Sequence, residues 1–177
     1  PGDASNRKYH RIFEEGNLQN NRRLIVMELE KPQLNSKLDF ILMTKYLDEL
    51  GLPVPKIFYY DRKKGILFIE DFGDQLLQDI VGPQSKHSEK LVWYRKAIDM
   101  LVLLQVEGSR KPNLSCPAFN RRFDLKKLMF EMDFMIEHFL TDLKGHNLKA
   151  DEVKEIRNSL ISLCQILSTE RLCLTHR

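Results

Sequence analysis

The sequence lacks any apolar run of the roughly 18 to 20 residues that span a bilayer, and its first residues contain no signal-peptide core. It also lacks long basic tracts, because its 28 lysines and arginines and 25 acids are spread along 177 residues with a net charge of +3. This composition argues against membrane insertion and against nucleic-acid binding. We therefore expect a cytoplasmic monomer with no membrane or nucleic-acid partner.

Cysteine is also scarce, with three residues and no C-x-x-C spacing. An odd number of thiols at such spacing predicts neither a disulfide framework nor a zinc site. We expect Cys116, Cys164 and Cys173 to be reduced and structural. Hydrophobic residues make up 42% and charged residues 30% of the chain, which is typical of a globular protein with a real core.

The most informative stretch of the chain is Gly65 to Gly73. Its four apolar residues, Ile66 to Ile69, predict a strand buried on both faces that ends at Glu70 and Asp71. Where a buried strand runs into an irregular segment, its main-chain N–H and C=O groups need other partners, which a planar heterocycle such as adenine can supply. The alternative is the ordinary strand-to-loop transition of any α+β domain.

The residues before this stretch predict two hairpins and one helix. Apolar and β-branched runs indicate strands at Lys8–Phe13, at 24–29 and at 57–60. A helix is expected from about Asn35 to Leu50, with Ser36 as its N-cap and Gly51 as its end. The helix has an apolar face that begins with an acid and comprises Asp39, Leu42, Met43, Tyr46 and Leu50. Asp39 is either a capping-box partner of Ser36 or an acid aimed at a phosphate-side interior.

The loop ahead of the first strand is rich in small residues. Gly2, Ala4 and Ser5 would let main-chain amides fold over phosphate groups, because small side chains allow a ligand to approach the backbone. The alternative is a plain turn in which Ser5 and Asn6 bond locally.

Beyond Gly73 the pattern is mainly helical, which places a domain boundary near residue 74. Helices are expected at about Ser88–Val106, Asp124–Lys144 and Asp151–Thr169, followed by a strand beginning at Leu172. The first should be a core helix, with Leu91, Tyr94, Ile98 and Leu101 facing inward. In the second, the stripe is Leu125, Leu128, Met132, Met135, Phe139 and Leu143. Phe130 and Phe134 lie outside that stripe. They are expected either to pack in the core or to contact a neighbour or a ligand.

This order predicts an α+β, protein-kinase-like two-lobe fold. The N-terminal lobe, residues 1–73, would hold an antiparallel sheet and one helix, and residues 74–177 would form an incomplete helical C-terminal lobe. The chain resembles the aminoglycoside phosphotransferase and choline kinase family, and within it the bacterial amino-sugar kinases that act on N-acetylmuramate or N-acetylglucosamine. The resemblance rests on 2–9 (GDASNRKY), 52–55 (LPVP), 67–73 (LFIEDFG), Phe123-Asp124 ahead of Glu131, and 174–177 (LTHR).

The resemblance implies a nucleotide site that uses ATP and Mg²⁺. Two sets of main-chain groups would bind the nucleotide: those of Ile69, Glu70, Asp71 and Phe72 at adenine, and those of Ala4, Ser5, Asn6 and Arg7 at the phosphates. Asp39 matches a helix acid that pairs with a strand lysine in the family. Here the lysine position falls at Met27, so that ion pair is absent or replaced, for instance by Arg7 or Lys8.

The tripeptide Asp71-Phe72-Gly73 spells the magnesium-binding motif of kinases but precedes the helical lobe, where that motif does not belong. We expect Asp71 to face solvent or a local amide and to bind no metal. His176 and Arg177 resemble the opening of the family's catalytic loop, whose base and metal ligands would follow Arg177. No catalytic or metal-binding residue is assigned within the chain, which by itself is expected to be inactive.

The implied reaction is transfer of phosphate from ATP to a hydroxyl of a small molecule, most plausibly an amino sugar. Glu131 is the candidate substrate-binding residue, the alternative being a solvated helix acid. Two other functions stay open. One is a non-catalytic nucleotide-binding or regulatory module with a kinase fold, and the other is a choline, homoserine or aminoglycoside kinase.

Overall fold

The computed structural model describes residues 6–13, 23–33 and 38–175. These residues form a mixed α+β fold with a four-stranded antiparallel sheet, as predicted. The strands are β1 (Lys8–Phe13), β2 (Arg23–Glu28), β3 (Ile57–Asp61) and β4 (Ile66–Glu70), in the spatial order β1-β2-β4-β3. The helices are α1 (Asp39–Glu49), α2 (Leu77–Ile80), α3 (His87–Arg110), α4 (Leu125–Phe134) and α5 (Ala150–Thr169), with a 3₁₀ helix at Pro117–Asn120 and a π-helix at Met135–Leu143.

The described residues divide into two compact units. One contains those up to Pro117 together with Leu174 and Thr175, and the other is Ala118–Cys173. The division near residue 74 into a sheet lobe and a helical lobe stays a prediction. Of the helices that the structure describes, none has the length and apolar character needed to cross a membrane.

The core of the first unit lies between the sheet and α1. Met27 and Leu67 pair directly across β2 and β4, and Ile69 pairs with Ile25. The buried cluster consists of Met27, Leu29, Leu38, Leu67 and Ile69, with Phe40 and Ile41 of α1 packed against it. Because residues paired directly across strands share a face, this set defines one side of the sheet, which we call the helix-covered face.

The opposite face of the sheet has no such cover, which corrects the prediction for β4. Ile66 and Phe68 are only half-buried there, whereas Leu67 and Ile69 on the helix-covered face are buried. A strand buried on both faces needs helices on both sides of the sheet. The described residues supply one helix, on one side.

Helix α1 begins at Asp39, four residues after the predicted start, and Leu38 precedes it without a side-chain cap. The predicted cap, Ser36, lies outside the described residues. Gly51 has a φ of 78° and ends the helix as predicted. Asp39 is exposed, so the inward face of the helix does not begin with this acid.

Tyr46 connects α1 to the end of α3 within the first unit. Its hydroxyl lies 2.8 Å from the carbonyl oxygen of Gly108 and 3.0 Å from that of Lys111, and it donates towards both. Burial raises the pKa of Tyr46 above its ordinary value, which keeps this hydroxyl a donor. A side chain at Gly108 would meet Leu174 Cδ1 at 2.6 Å, so glycine permits the close approach of these two segments.

The prediction that α3 is a core helix is wrong for the described part of the chain. Its predicted inward residues, Leu91, Tyr94, Ile98 and Leu101, are between 42% and 58% exposed. Periodicity identifies which face of a helix is apolar, but it contains no information on whether a partner covers that face. The strand expected at Leu172 is also absent, because residues 171–175 are irregular.

In the second unit the predicted long helix is two segments of different geometry. Asp124 caps α4 as predicted, accepting a hydrogen bond from the Lys127 amide at 2.8 Å. From Met135 the backbone is π-helical, with i→i+5 bonding that displaces the face expected from a period of 3.6. Phe139 and Leu143 are therefore exposed, while Ile136 is buried.

Phe130 and Phe134 are more than half exposed, so core packing is the wrong explanation for them. Lys127 Nζ lies 4.6 Å from the centre of the Phe130 ring, and Phe134 stacks at a tilt on His138.

All three cysteines are free thiols, as predicted, with Cys116 and Cys164 buried and Cys173 exposed.

Candidate functional site

The edge strand β1 and the residue before it place three large polar or aromatic side chains along the helix-covered face. Tyr9 pairs with Met27 and Arg11 with Ile25, so both lie on that face. Arg7 precedes Tyr9 by two residues, and its guanidinium lies 5.9 Å from the centre of the Phe40 ring on α1. A strand rises about 3.3 Å per residue, which separates Arg7 from Arg11 by about 13 Å. The candidate site follows this edge, with one arginine at each end.

At the Arg7 end lies an open cavity of about 370 Å³. Asn6 and Arg7 line it on one side, and Leu29, Glu30, Lys31, Gln33 and Leu38 complete the wall. Asn6 Nδ2 donates to Glu30 Oε2 at 2.9 Å. Of the four residues predicted to cover phosphates, Asn6 and Arg7 thus share one cavity, while Ala4 and Ser5 lie outside the described residues.

At the other end Arg11 contacts two carboxylates of the segment that follows β4. Its Nε lies 2.7 Å from Asp71 Oδ2 and its Nη2 donates to Asp71 Oδ1 at 3.0 Å. Its Nη1 donates to both oxygens of Asp74, at 2.7 and 2.8 Å. The Asp71 side chain is 3% exposed, against 29% for Arg11 and 77% for Asp74. We call this three-residue set the arginine clamp.

Asp71 is held from two directions. Besides the contact with Arg11, its Oδ1 accepts a hydrogen bond from the Gly73 amide at 2.8 Å, which confirms the predicted local amide. The prediction of solvent exposure is wrong, because the side chain is buried. Hydrogen bonding from Arg11 and then from Gly73 lowers the pKa of Asp71 below its ordinary value.

Sequence reasoning missed Arg11. Its signal was the alternation that places a charged residue on the inward face of an apolar strand, where such a group requires a partner. The partner lies 60 residues further along the chain, beyond the reach of local patterns.

The main chain after β4 changes from paired to unpaired within a few residues. Ile69 pairs with Ile25 and Ile57 in the sheet. The Glu70 amide donates to Lys56 O at 2.9 Å, and the Glu70 carboxylate accepts from the Lys56 amide at 3.1 Å. Because Glu70 bonds on the β3 side and alternate residues of a strand face opposite neighbours, the main chain of Asp71 faces β2, opposite Arg23. Among the described residues, none forms a hydrogen bond outside the sheet to the main-chain N–H or C=O of Phe72. Within the predicted adenine-binding segment, Phe72 is therefore the residue whose main-chain groups remain available for a ligand.

An apolar side chain fills the strand position at which the resemblance to kinases predicts a lysine. Met27 is 0% exposed and belongs to the core cluster. Asp39, the acid that would pair with a lysine there, is exposed at the first residue of α1. Of the two suggested replacements, Arg7 lies against α1, and Lys8 is exposed and pairs across the sheet with Glu28.

Glu131, the predicted substrate residue, lies in the second unit. Its Oε1 is 2.7 Å from Lys127 Nζ, an i,i+4 ion pair on one helix face. A role in substrate binding stays a prediction. His176 and Arg177 lie outside the described residues. Within residues 6–13, 23–33 and 38–175 no group of three His, Cys, Asp or Glu side chains is placed to hold a metal ion.

Acid should remove the contribution of Asp71 to stability. Because its folded-state pKa is lowered, that contribution is complete above the unfolded value of about 3.9 and is lost as the pH falls through the folded value. We expect the difference in urea midpoint between the wild type and Asp71→Asn to be constant from pH 5 to 8 and to shrink below about pH 4. A difference that grows in acid would contradict this assignment.

No protein-family model matches the chain. The class indicated by comparison is that of the kinases. The chain is 28% identical over 150 residues to the N-acetylmuramate/N-acetylglucosamine kinase of Pseudomonas aeruginosa. The match covers 82% of this chain and 40% of the kinase, so the chain spans about two fifths of the length of this curated relative. This identity supports a distant relationship to a kinase, and kinases in general use ATP.

Proposed function

We propose that the protein containing this chain is an ATP-dependent phosphotransferase whose acceptor is a hydroxyl group of a small molecule, specifically an amino sugar. The observation that carries the proposal is the main chain of Phe72, which has no hydrogen-bond partner among the described residues, while the arginine clamp holds the side chain of the preceding Asp71. The relationship to an amino-sugar kinase supplies the acceptor class.

The adenine end of the site would be the segment after β4. A purine edge offers a donor and acceptors side by side, and an extended main chain offers the complementary groups in the same order. Glu70 is already bonded through its amide and carboxylate to Lys56. The amide and carbonyl groups of Phe72 are therefore the ones that would contact the base.

The phosphate end would be the cavity lined by Asn6 and Arg7. Arg7 lies on the same face as Arg11, about 13 Å along the strand, a separation comparable to the length of an extended nucleoside triphosphate. A guanidinium offers several donors to phosphate oxygens and stays charged at neutral pH. Arg7 would thus take over the charge that a strand lysine supplies in kinases. The described residues offer no cluster for Mg²⁺, and we assign the ion no ligand among them.

The contribution of these residues to phosphate transfer would be positioning and charge neutralisation. Phosphoryl transfer requires the donor phosphate to be held in line with the acceptor, and little covalent chemistry falls to the protein. Binding of adenine at one end of the strand and of the phosphates at the other would fix the direction in which the nucleotide lies.

A second candidate function is a nucleotide-binding or regulatory module without catalysis. The observation that favours it is Met27, which is completely buried where kinases have a phosphate-gripping lysine. In this function the nucleotide would bind along the same edge and would not be turned over.

The test is ADP release by the whole protein with ATP and a panel of acceptors: N-acetylmuramate, N-acetylglucosamine, choline, homoserine and an aminoglycoside. We expect turnover with the two amino sugars. Turnover with another member of the panel would overturn the acceptor class. Nucleotide binding without turnover on any acceptor would favour the regulatory module, and failure to bind ATP would overturn both.

A further inference from the structure

We propose that Arg11 is a positioning residue for the nucleobase: it holds the segment after β4 in the conformation that binds adenine, without contacting the base itself. This inference rests on the proposed function, because it names what sets the affinity of the same site.

The first support is the geometry of the arginine clamp. Arg11 belongs to an edge strand, and both of its partners belong to the segment that follows β4, 60 and 63 residues away. One guanidinium uses all three of its nitrogens on two carboxylates. The clamp therefore joins β1 directly to residues 71–74, bypassing β2, which lies between β1 and β4 in the sheet.

The second support is where the clamp acts along the chain. Pairing with β3 and the hydrogen bonds of Glu70 to Lys56 fix the chain up to Glu70. Beyond that residue, the described contacts of the segment are made by side chains: Arg11 with Asp71 and Asp74, and the Gly73 amide with the Asp71 carboxylate. The Asp71 side chain is 3% exposed, and Gly73 turns the chain at a φ of 80°. The N–H and C=O groups of Phe72, which lies between them, are therefore fixed in position while they have no described hydrogen-bond partner.

The third support is the mismatch inside the clamp. Arg11 Nε and Asp71 Oδ2 lie 2.7 Å apart, but neither of these buried atoms has a well-aligned hydrogen bond among the described residues. At these two atoms the attraction is therefore one of charge, without an aligned hydrogen bond. The aligned hydrogen bonds of the clamp are those made by Nη1 and Nη2 of Arg11.

Loss of the restraint should lower nucleotide affinity through the fraction of protein that is ready to bind. The apparent dissociation constant equals the intrinsic one divided by the binding-competent fraction. If that fraction falls from near one to about one tenth without Arg11, the dissociation constant rises about tenfold. The same factor should apply to every ligand that contains adenine and to none that lacks it, because Arg7 and its cavity lie about 13 Å away.

The experiment measures binding of adenosine, ADP and inorganic triphosphate to the whole protein and to its Arg11→Gln variant. We expect the dissociation constants of adenosine and ADP to rise together, by about tenfold, and that of triphosphate to stay unchanged. Asp71→Asn should reproduce this pattern. Arg11→Lys should retain only part of the affinity for adenosine and ADP, because an ammonium cannot bridge two carboxylates as a guanidinium does.

The matched control is Arg157→Gln, which removes an arginine bound through Nε and Nη2 to Asp133 in the second unit. It changes the net charge equally and should leave all three affinities unchanged. Hydrogen exchange of the free protein supplies a readout of position: the amides of Phe72 and Gly73 should exchange faster in Arg11→Gln, and those of Met27 and Leu67 should not.

The outcomes separate this inference from the proposed function. If the wild type binds no adenine ligand, the proposed function fails. If the wild type binds adenosine and folded Arg11→Gln binds it equally well, the role of Arg11 is contradicted and the proposed function stands. Equal loss of adenosine and triphosphate binding, with faster exchange at Met27 and Leu67, would show a general structural role and would also overturn the inference.

Discussion

Met27→Lys should lower the free energy of unfolding by about 3 to 5 kcal/mol, the cost typical of an unpaired buried charge. Met27 is completely buried and contacts an apolar cluster that includes Leu67 and Leu38. Burial in such surroundings disfavours the charged form of a lysine. The position at which the resemblance predicts a lysine is therefore part of the core here. Equilibrium urea unfolding of the variant and the wild type measures the effect.

The matched control is Met27→Leu, an exchange of similar volume that should cost less than about 1.5 kcal/mol. If Met27→Lys is as stable as Met27→Leu and binds ATP more tightly than the wild type, the lysine has reached the phosphate side. That result would contradict our placement of Met27 and would reinstate the pairing with Asp39 that the family resemblance implies.

Arg7→Gln should weaken ATP binding by about 10- to 100-fold, the range expected when a charge-assisted hydrogen bond worth about 1.5 to 3 kcal/mol is lost. The affinity for adenosine should not change, because Arg7 lines the cavity proposed for the phosphates and lies far from the arginine clamp. Calorimetric titration with ATP, ADP and adenosine measures how the loss of affinity depends on the number of phosphate groups in the ligand.

Lys8→Gln serves as the control for Arg7, since Lys8 is the neighbouring cation and is exposed. It should leave the affinity for ATP within a factor of about two, a difference of a few tenths of a kcal/mol. A large loss of ATP affinity in Lys8→Gln with none in Arg7→Gln would show that the wrong cation was assigned to the phosphates.

Local pattern was sufficient for the four strands of the sheet and for some helix ends, but not for the strand expected at Leu172. The apolar run of β4, the turn ahead of it and the glycine that ends α1 each depend on residues close in sequence, and each lies where the pattern predicts. The antiparallel order follows from short connections, such as the four residues that join β3 to β4.

Two of the failures share a physical cause, because they depend on what lies beside an element in space, and a third comes from the backbone geometry of a helix. The apolar face of α3 and the second face of β4 were read correctly as apolar, but what covers a face is set by distant residues. The π-helix from Met135 to Leu143 changed the period on which the predicted stripe depended.

The candidate site shows the same division. The segment 69–72 was predicted as a nucleotide-binding segment because the stop of an apolar strand at two acids is a local signal, and that role stays a prediction. The arginine clamp was not, because Arg11 meets Asp71 and Asp74 only through the sheet register. Asp71 was expected to face solvent or a local amide; the contact with the Gly73 amide is present, but the contact with Arg11 depends on a residue distant in sequence.

Hydrogen exchange of the whole protein with and without ADP tests the central claim most directly, because it locates the nucleobase without any substitution. We predict slower exchange of the Phe72 and Gly73 amides when ADP is bound, with no change in α5, residues Ala150–Thr169. Adenosine should give the same protection at Phe72, and inorganic triphosphate should give none there. Protection by ADP elsewhere, with Phe72 and Gly73 exchanging as in the free protein, would contradict a kinase-type nucleotide site at this segment.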